Sequence, residues 1–115
     1  MKVVYASRTG NVESIVGKLG VDALKIENGS ETVGEDYVLF TYTDGYGEVP
    51  AEVTSFLANN AEHLKGTVIS GSRNFGDAYC GAGKVITEQY GAPVLYEVED
   101  AGTDEDIEKI KAVIA

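Results

Sequence analysis

Apolar residues fall into two alternating patterns along this chain. Short apolar and β-branched runs, bounded by glycine, asparagine or charged residues, are typical of β-strands. They occupy residues 3–6, 23–26, 37–43, 66–70 and 93–98. The second run is short and alternates in character, as an edge strand does, whereas the third is nearly continuous and predicts a central strand covered on both faces.

Between these runs, apolar residues recur at every third or fourth position, which is the spacing of an amphipathic helix. This spacing predicts helices over residues 12–19, 50–64, 78–90 and 103–114. Leu64 is assigned to the apolar side of the second helix and Val113 to the inner face of the fourth, which Thr103 is expected to cap. Strands that alternate with helices predict an α/β fold, a doubly wound five-stranded parallel sheet in the order 2-1-3-4-5 with helices on both faces.

Length and charge narrow the classes of protein to consider. The 115 residues are expected to form one domain, residues 1–115. A net charge of -10 argues against nucleic acid and anionic membranes as partners, because both require a basic surface. The N-terminus follows a strand pattern rather than that of a signal peptide, and no apolar run could span a membrane, so we expect a cytoplasmic protein. The single cysteine, Cys80, fits a reducing compartment and is expected to be a small buried apolar residue.

The three least ordinary loops follow the first, third and fourth predicted strands. In a sheet of this order, ligands bind at the carboxyl ends of the strands, beside the point between strands one and three where the strand order reverses. The first loop combines hydroxyls, glycine and asparagine and runs into a helix, an arrangement that suits a phosphate group. A turn that merely caps the helix is the alternative for this segment. A nucleoside triphosphate or NAD is not expected, because neither the lysine-containing phosphate loop nor a GxGxxG motif is present.

The other two loops favour a planar ligand. Gly45 and Gly47 flank Tyr46, so the backbone there can approach a ring closely and change its peptide orientation at little steric cost. The third loop offers the polar Asn74 and the aromatic Phe75. A phosphate site beside a slot for a flat ring with polar edges indicates flavin mononucleotide (FMN). Alternatively, Tyr46 and Phe75 only cover the ends of the sheet.

The chain resembles the flavodoxin-like NrdI family over nearly its whole length. Ser7-Arg8-Thr9-Gly10-Asn11-Val12 resembles the phosphate loop of that family, and the segment from Thr41-Tyr42-Thr43 to Val49-Pro50 resembles its flavin loop. The segment Gly71-Ser72-Arg73-Asn74-Phe75-Gly76-Asp77-Ala78-Tyr79 is the most specific match. The resemblance implies an FMN protein that binds the small, dimetal subunit of class Ib ribonucleotide reductase. It also implies that the reduced flavin converts O2 to superoxide, which reaches a metal site, typically dimanganese, where the radical is generated.

The resemblance also implies a set of cofactor-binding residues, with the flavin carrying the chemistry and no metal held by this chain. The phosphate loop contributes Ser7, Arg8, Thr9, Gly10, Asn11 and Val12. The flavin loop contributes Thr43, Asp44, Gly45, Tyr46 and Gly47, and a peptide within residues 44–47 is expected to turn when the flavin is reduced. The third loop contributes Ser70, Gly71, Ser72, Asn74, Phe75 and Gly76. A separate electron donor would reduce the flavin.

Three other functions fit parts of the sequence. A small flavodoxin that transfers single electrons, with no role for O2, is the nearest. A phospho-receiver domain shares the length and strand order, but Ser7-Arg8 stands where a receiver needs an acidic pair for Mg2+. A flavin-free adaptor would keep only the fold, and the intact phosphate loop argues against it.

Overall fold

A five-stranded parallel sheet forms the centre of the protein. The computed structural model describes residues 2–44, 47–72, 76 and 79–114. The strands run in the order β2-β1-β3-β4-β5, and every neighbouring pair is parallel. Their bounds are Lys2–Tyr5 for β1, Ala23–Lys25 for β2, Tyr37–Tyr42 for β3, Leu64–Gly71 for β4 and Val94–Glu99 for β5. The predicted α/β fold and strand order are confirmed.

Helices cover both faces of this sheet. They are α1 at Asn11–Leu19, α2 at Ala51–Asn60, α3 at Gly81–Tyr90 and α4 at Asp104–Ile114, with a 3-10 turn at Ala61–His63. Helices α1 and α4 pack on one face, where Ile15 and Ile110 share a core with Phe40. Helices α2 and α3 pack on the other, where Phe56 and Ile86 share a core with strand residues such as Leu39. The apolar side chains of β3 therefore alternate between two cores, as its nearly continuous apolar sequence predicts.

The start of α4 follows the predicted capping pattern. The Thr103 hydroxyl accepts a hydrogen bond from the Asp106 amide at 3.2 Å, and the Asp106 carboxylate accepts one from the Thr103 amide at 2.9 Å. This reciprocal pair is a capping box, which satisfies two amides that the helix itself cannot. The same carboxylate also accepts a hydrogen bond from the Tyr96 hydroxyl at 2.6 Å, so the cap is joined to β5.

Two assignments made from helical spacing are wrong, one of an element and one of a buried face. Leu64 does not belong to α2, because the 3-10 turn at Ala61–His63 ends that helix and Leu64 is the first residue of β4. Val113 is 40% exposed rather than on the inner face of α4, which Ile107, Ile110 and Ile114 form. Leu64 is nevertheless buried in the same core as Phe56 and Leu57, whereas Val113 lies at the surface.

Helix α3 begins at Gly81, later than the predicted residue 78, which lies outside the described residues. Cys80 precedes it with a φ of 54°, in the left-handed region, so it stands outside the helix. Its side chain is fully buried, as predicted. No helix in the part of the chain described is both long and apolar enough to cross a membrane.

Candidate functional site

The loop after β1 brings backbone amides and hydroxyls to the start of α1. Gly10 precedes the helix with a φ of 95°, a conformation that glycine adopts without steric cost. Its carbonyl accepts the first helical hydrogen bond from the Ser14 amide, and the Ser7 hydroxyl accepts one from the Glu13 amide at 3.2 Å. The amides of Asn11 and Val12 come before those of Glu13 and Ser14 in the first turn of α1, the part of a helix that binds anions.

The geometry supports part of the alternative interpretation of this loop. The Ser7 hydroxyl does cap the helix through the Glu13 amide, as a purely structural turn would. The Val12 side chain is buried in the core under α1, so only its backbone faces the loop. Thr9 and Asn11, by contrast, line a cavity at this end of the sheet.

The loop after β3 forms a closed turn. Asp44 and Glu48 exchange two backbone hydrogen bonds, of 2.9 and 2.8 Å, and form an isolated antiparallel bridge. Gly47 within the turn has a φ of 99°. Gly45 and Tyr46, both predicted to face the ring, lie outside the described residues.

An ion pair links this turn to the first loop. The Arg8 guanidinium donates to the Asp44 carboxylate at 2.6 Å and lies 4.8 Å from the centre of the Tyr42 ring. The hydrogen bond to Asp44 raises the pKa of Arg8, so its positive charge is permanent. Burial, together with a 2.6 Å hydrogen bond to Glu52, raises the pKa of Tyr42 and keeps its hydroxyl protonated. The loop after β1 is thus joined to the end of β3 and to Asp44 by a cation–π contact and an ion pair.

The third segment is the end of β4. The Ser70 hydroxyl donates to the Asp100 carbonyl at 2.6 Å, and the Asp100 amide donates to the Gly71 carbonyl at 2.9 Å. These bonds fasten the ends of β4 and β5 together. Gly76, the next predicted residue that the structure describes, is exposed with a φ of 57°. Asn74 and Phe75 lie outside the described residues.

The ends of β1, β3 and β4 meet around one cavity of about 290 Å³. Its described lining consists of Arg8, Thr9, Asn11, Tyr42, Thr43, Ser70, Gly71, Ser72 and Asp100. Residues from all three predicted loops therefore share one space. Predicted residues that the structure describes but that are not part of this lining are Ser7, Gly10, Val12, Asp44, Gly47 and Gly76.

Two lining residues were absent from the predicted set. Tyr42 is the last residue of β3, and its place beside the predicted Thr43 is a signal that could have identified it. Asp100 follows β5, which ends at the same edge of the sheet as the three loops. It also borders a second cavity of about 500 Å³, whose acidic lining includes Glu97, Glu99 and Asp106.

The donors in the smaller cavity fit an anionic ligand with a polar ring. Arg8 is the single basic side chain among the described lining residues, and it stands beside the first amides of α1. The Thr43 hydroxyl oxygen is buried and has no hydrogen-bond partner among the residues that the structure describes. A buried hydroxyl without a partner is costly, and a polar ring edge in the cavity would supply one. Within the described ranges, no group of three histidine, cysteine or acidic residues is placed to hold a metal.

Comparison with known proteins agrees with this architecture. Residues 3–112 match the profile of the family described as NrdI Flavodoxin like. A "Protein NrdI" of Bartonella tribocorum is 46% identical over 117 residues, covering 95% of this chain and 89% of its own length. A "Protein NrdI" of Ruegeria sp. is 41% identical over 121 residues, with 98% and 86% coverage.

Solved structures extend the likeness to the fold of flavodoxins. The Fusobacterium nucleatum flavodoxin bound to flavin mononucleotide superposes with a TM-score of 0.69 at 18% identity, covering 98% of this chain and 93% of its own. The two-electron reduced flavodoxin of Megasphaera elsdenii gives a TM-score of 0.66 at 23% identity, with 99% and 98% coverage. At such identities the superpositions show a shared fold and no more. The family match and the two relatives, at 41% and 46% identity, show the family as well. The chain belongs to the NrdI flavodoxin-like family.

Proposed function

We propose that this protein binds FMN and activates class Ib ribonucleotide reductase by supplying superoxide to the dimetal site of the small subunit. The observation that carries the proposal is the convergence of three loops on one cavity, with hydroxyls, helix-end amides and one guanidinium around it. Membership of the NrdI family supports ribonucleotide reductase as the partner. The protein would act in the cytoplasm as a single FMN-binding domain.

In this proposal the first loop binds the phosphate. The amides of Asn11 and Val12 and the Thr9 hydroxyl are the donors, and the Arg8 guanidinium adds a positive charge beside them. Such a charge would add to the attraction of a dianionic phosphate in a protein with a net charge of -10. The Ser7 hydroxyl accepts from the Glu13 amide, which positions this loop and leaves the hydroxyl proton free to donate to the phosphate as well.

The other two loops orient the ring in this proposal. The Thr43 hydroxyl, buried and without a partner in the described structure, would hydrogen-bond a polar edge of the ring. Ser72 and the backbone of Ser70 and Gly71 would meet its pyrimidine edge, with Asn74 and Phe75 completing that side. When bound and reduced by a separate electron donor, FMN supplies one electron to O2, which leaves as superoxide. The protein's share is to hold the ring in place while leaving one edge open to O2 and to the partner.

Charge supports a partner with a basic face. The larger cavity beside the flavin site, which shares Asp100 with it, is lined by several carboxylates. Opposite charges raise association rates and suppress wrong partners. The small subunit of the reductase, loaded with Mn(II), is the proposed partner, and its radical is the product to be measured.

The test uses the purified protein titrated with FMN, reduced without oxygen and then exposed to a pulse of air with a superoxide trap. Bound flavin, prompt reoxidation and trapped superoxide are expected. Adding the Mn(II)-loaded small subunit before the air pulse should then give its radical signal by electron paramagnetic resonance. Slow reoxidation without superoxide would instead favour a flavodoxin that shuttles electrons, and failure to bind FMN would exclude both functions.

A further inference from the structure

The first turn of α3 lies directly against the backbone of the 44–48 turn. Gly81, the first residue of α3, is buried. A Cβ atom placed on it would lie 2.6 Å from the Gly47 Cα and 3.2 Å from the Gly47 carbonyl oxygen. Ordinary contacts of a Cβ atom begin at 3.4 Å, so any side chain at position 81 would force one of the two segments to move by close to an ångström.

The start of α3 is the less movable of the two segments. Cys80, immediately before Gly81, is fully buried, and its thiol donates to the Ile69 carbonyl at 3.4 Å. The Cys80 amide nitrogen also lies 2.9 Å from where a Cβ on Gly71 would be, so the backbones of α3 and β4 are in close contact. Residues packed in a core at this density resist displacement.

The 44–48 turn, in contrast, can yield. Its Asp44 carboxylate pairs with Arg8, and the two side chains, 37% and 57% exposed, lie at the protein surface. Gly47 belongs to no helix or strand, and the bridge that joins Asp44 to Glu48 beside it is isolated from the sheet, so Gly47 is displaced more easily than the start of α3. A side chain at position 81 would therefore displace the turn rather than the helix.

We propose that Gly81 is a positioning residue for the flavin, because its bare backbone sets how closely the 44–48 turn approaches the ring. The inference rests on the proposed function, in which this turn faces FMN. Gly81 itself touches no ligand in this proposal. Its effect is transmitted through the contact with Gly47. A displacement of about an ångström in a group that positions a ligand can have a large effect on the chemistry of that ligand, even when the substituted residue does not touch it.

The test compares Gly81→Ala with Gly17→Ala in the FMN-bound protein. Gly17 is an exposed glycine of α1 with nothing within 4 Å of its Cβ position, so this control adds the same methyl group to a helix without a clash. Gly81→Ala is expected to weaken FMN binding about tenfold and to change the separation between the two one-electron midpoint potentials of the flavin. Gly17→Ala should leave both unchanged. Wild-type affinity and wild-type potentials in Gly81→Ala would overturn the inference.

A measurement on the unaltered protein covers the case in which Gly81→Ala does not fold. A nuclear Overhauser effect between the α-protons of Gly47 and Gly81 is expected in the FMN-bound protein, and its absence would also overturn the inference. Failure of the proposed function looks different, because the wild-type protein would then not bind FMN. If the wild type binds FMN normally and only the predicted differences are missing, the positioning role alone is wrong.

Discussion

Removing the Thr43 hydroxyl should change ligand affinity and protein stability in opposite directions. Thr43→Val replaces a hydroxyl by a methyl group of similar size. The Thr43 hydroxyl oxygen is buried with no partner in the described part of the chain, and a buried unsatisfied group costs about 1–3 kcal/mol. We therefore expect the free energy of unfolding of the FMN-free protein to rise by about 1 kcal/mol. Loss of one hydrogen bond to FMN, worth about 0.5–1.5 kcal/mol net, should raise its Kd roughly three- to tenfold.

Two buried threonines, Thr67 and Thr41, provide matched controls. Thr67 in β4 is fully buried, its hydroxyl also lacks a partner among the described residues, and it is not part of the cavity lining. Thr67→Val should therefore stabilise the protein without changing FMN affinity. Thr41 is equally buried, but its hydroxyl donates to the Tyr42 carbonyl at 2.9 Å, so Thr41→Val should destabilise the protein.

The assay is urea unfolding of the FMN-free variants followed by circular dichroism, combined with FMN titration followed by quenching of flavin fluorescence. If Thr43→Val destabilises the FMN-free protein as Thr41→Val does, the hydroxyl already has a partner in the protein and the reasoning is refuted. Unchanged FMN affinity in Thr43→Val would show that the hydroxyl does not contact the ligand.

Three further predictions concern charge and buried polar groups. Arg8→Ala should weaken FMN binding about tenfold. Riboflavin lacks the phosphate, so its binding should weaken less, through loss of the ion pair with Asp44 alone; equal losses in parallel titrations would contradict the phosphate role. Asn60→Ala should lower the free energy of unfolding by about 2–4 kcal/mol in urea, because its buried side chain bonds three backbone groups, whereas exposed Asn59→Ala should cost less than about 0.5 kcal/mol. The backbone amides of residues 27–29 hold the pKa of Glu31 below its ordinary 4.5, so the stability it contributes is present above that pH and is lost as the pH falls through the lowered pKa. In Glu31→Gln, the free energy of unfolding should accordingly fall less as the pH is lowered in the acid range than it does in the wild type. An equal decrease in the two proteins, measured by urea unfolding at several pH values, would contradict this role of Glu31.

The fold was accessible from the sequence because its signals are local. The run from Tyr37 to Tyr42 is apolar at nearly every position, which only a strand between two helical layers requires. The capping box at Thr103 likewise involves residues three apart. The spacing placed Leu64 in α2 wrongly, because the pattern of apolar residues cannot distinguish the last residue of a helix from the first residue of the strand that follows.

The features that the sequence did not predict depend on contacts between residues far apart in the chain. The bonds of Asn60 reach the connection before β3, and nothing in its neighbours indicates that it is buried. Asp100 joins the cavity only because β5 lies beside β4. The close contact between Gly81 and Gly47 requires the whole sheet to be assembled before it can be recognised.

The strand order has a consequence for how this protein folds. Strand β3 pairs with β1 on one side and β4 on the other, and both pairings join segments far apart in the chain. Such pairings form slowly, because the entropy of closing the intervening loops must be overcome first. The cavity is lined by residues at the ends of β1, β3, β4 and β5, so a piece of the chain that lacks any of these strands does not contain the complete cavity. Flavin uptake during refolding should therefore follow the last cooperative step, and the appearance of bound flavin would report the completed central sheet.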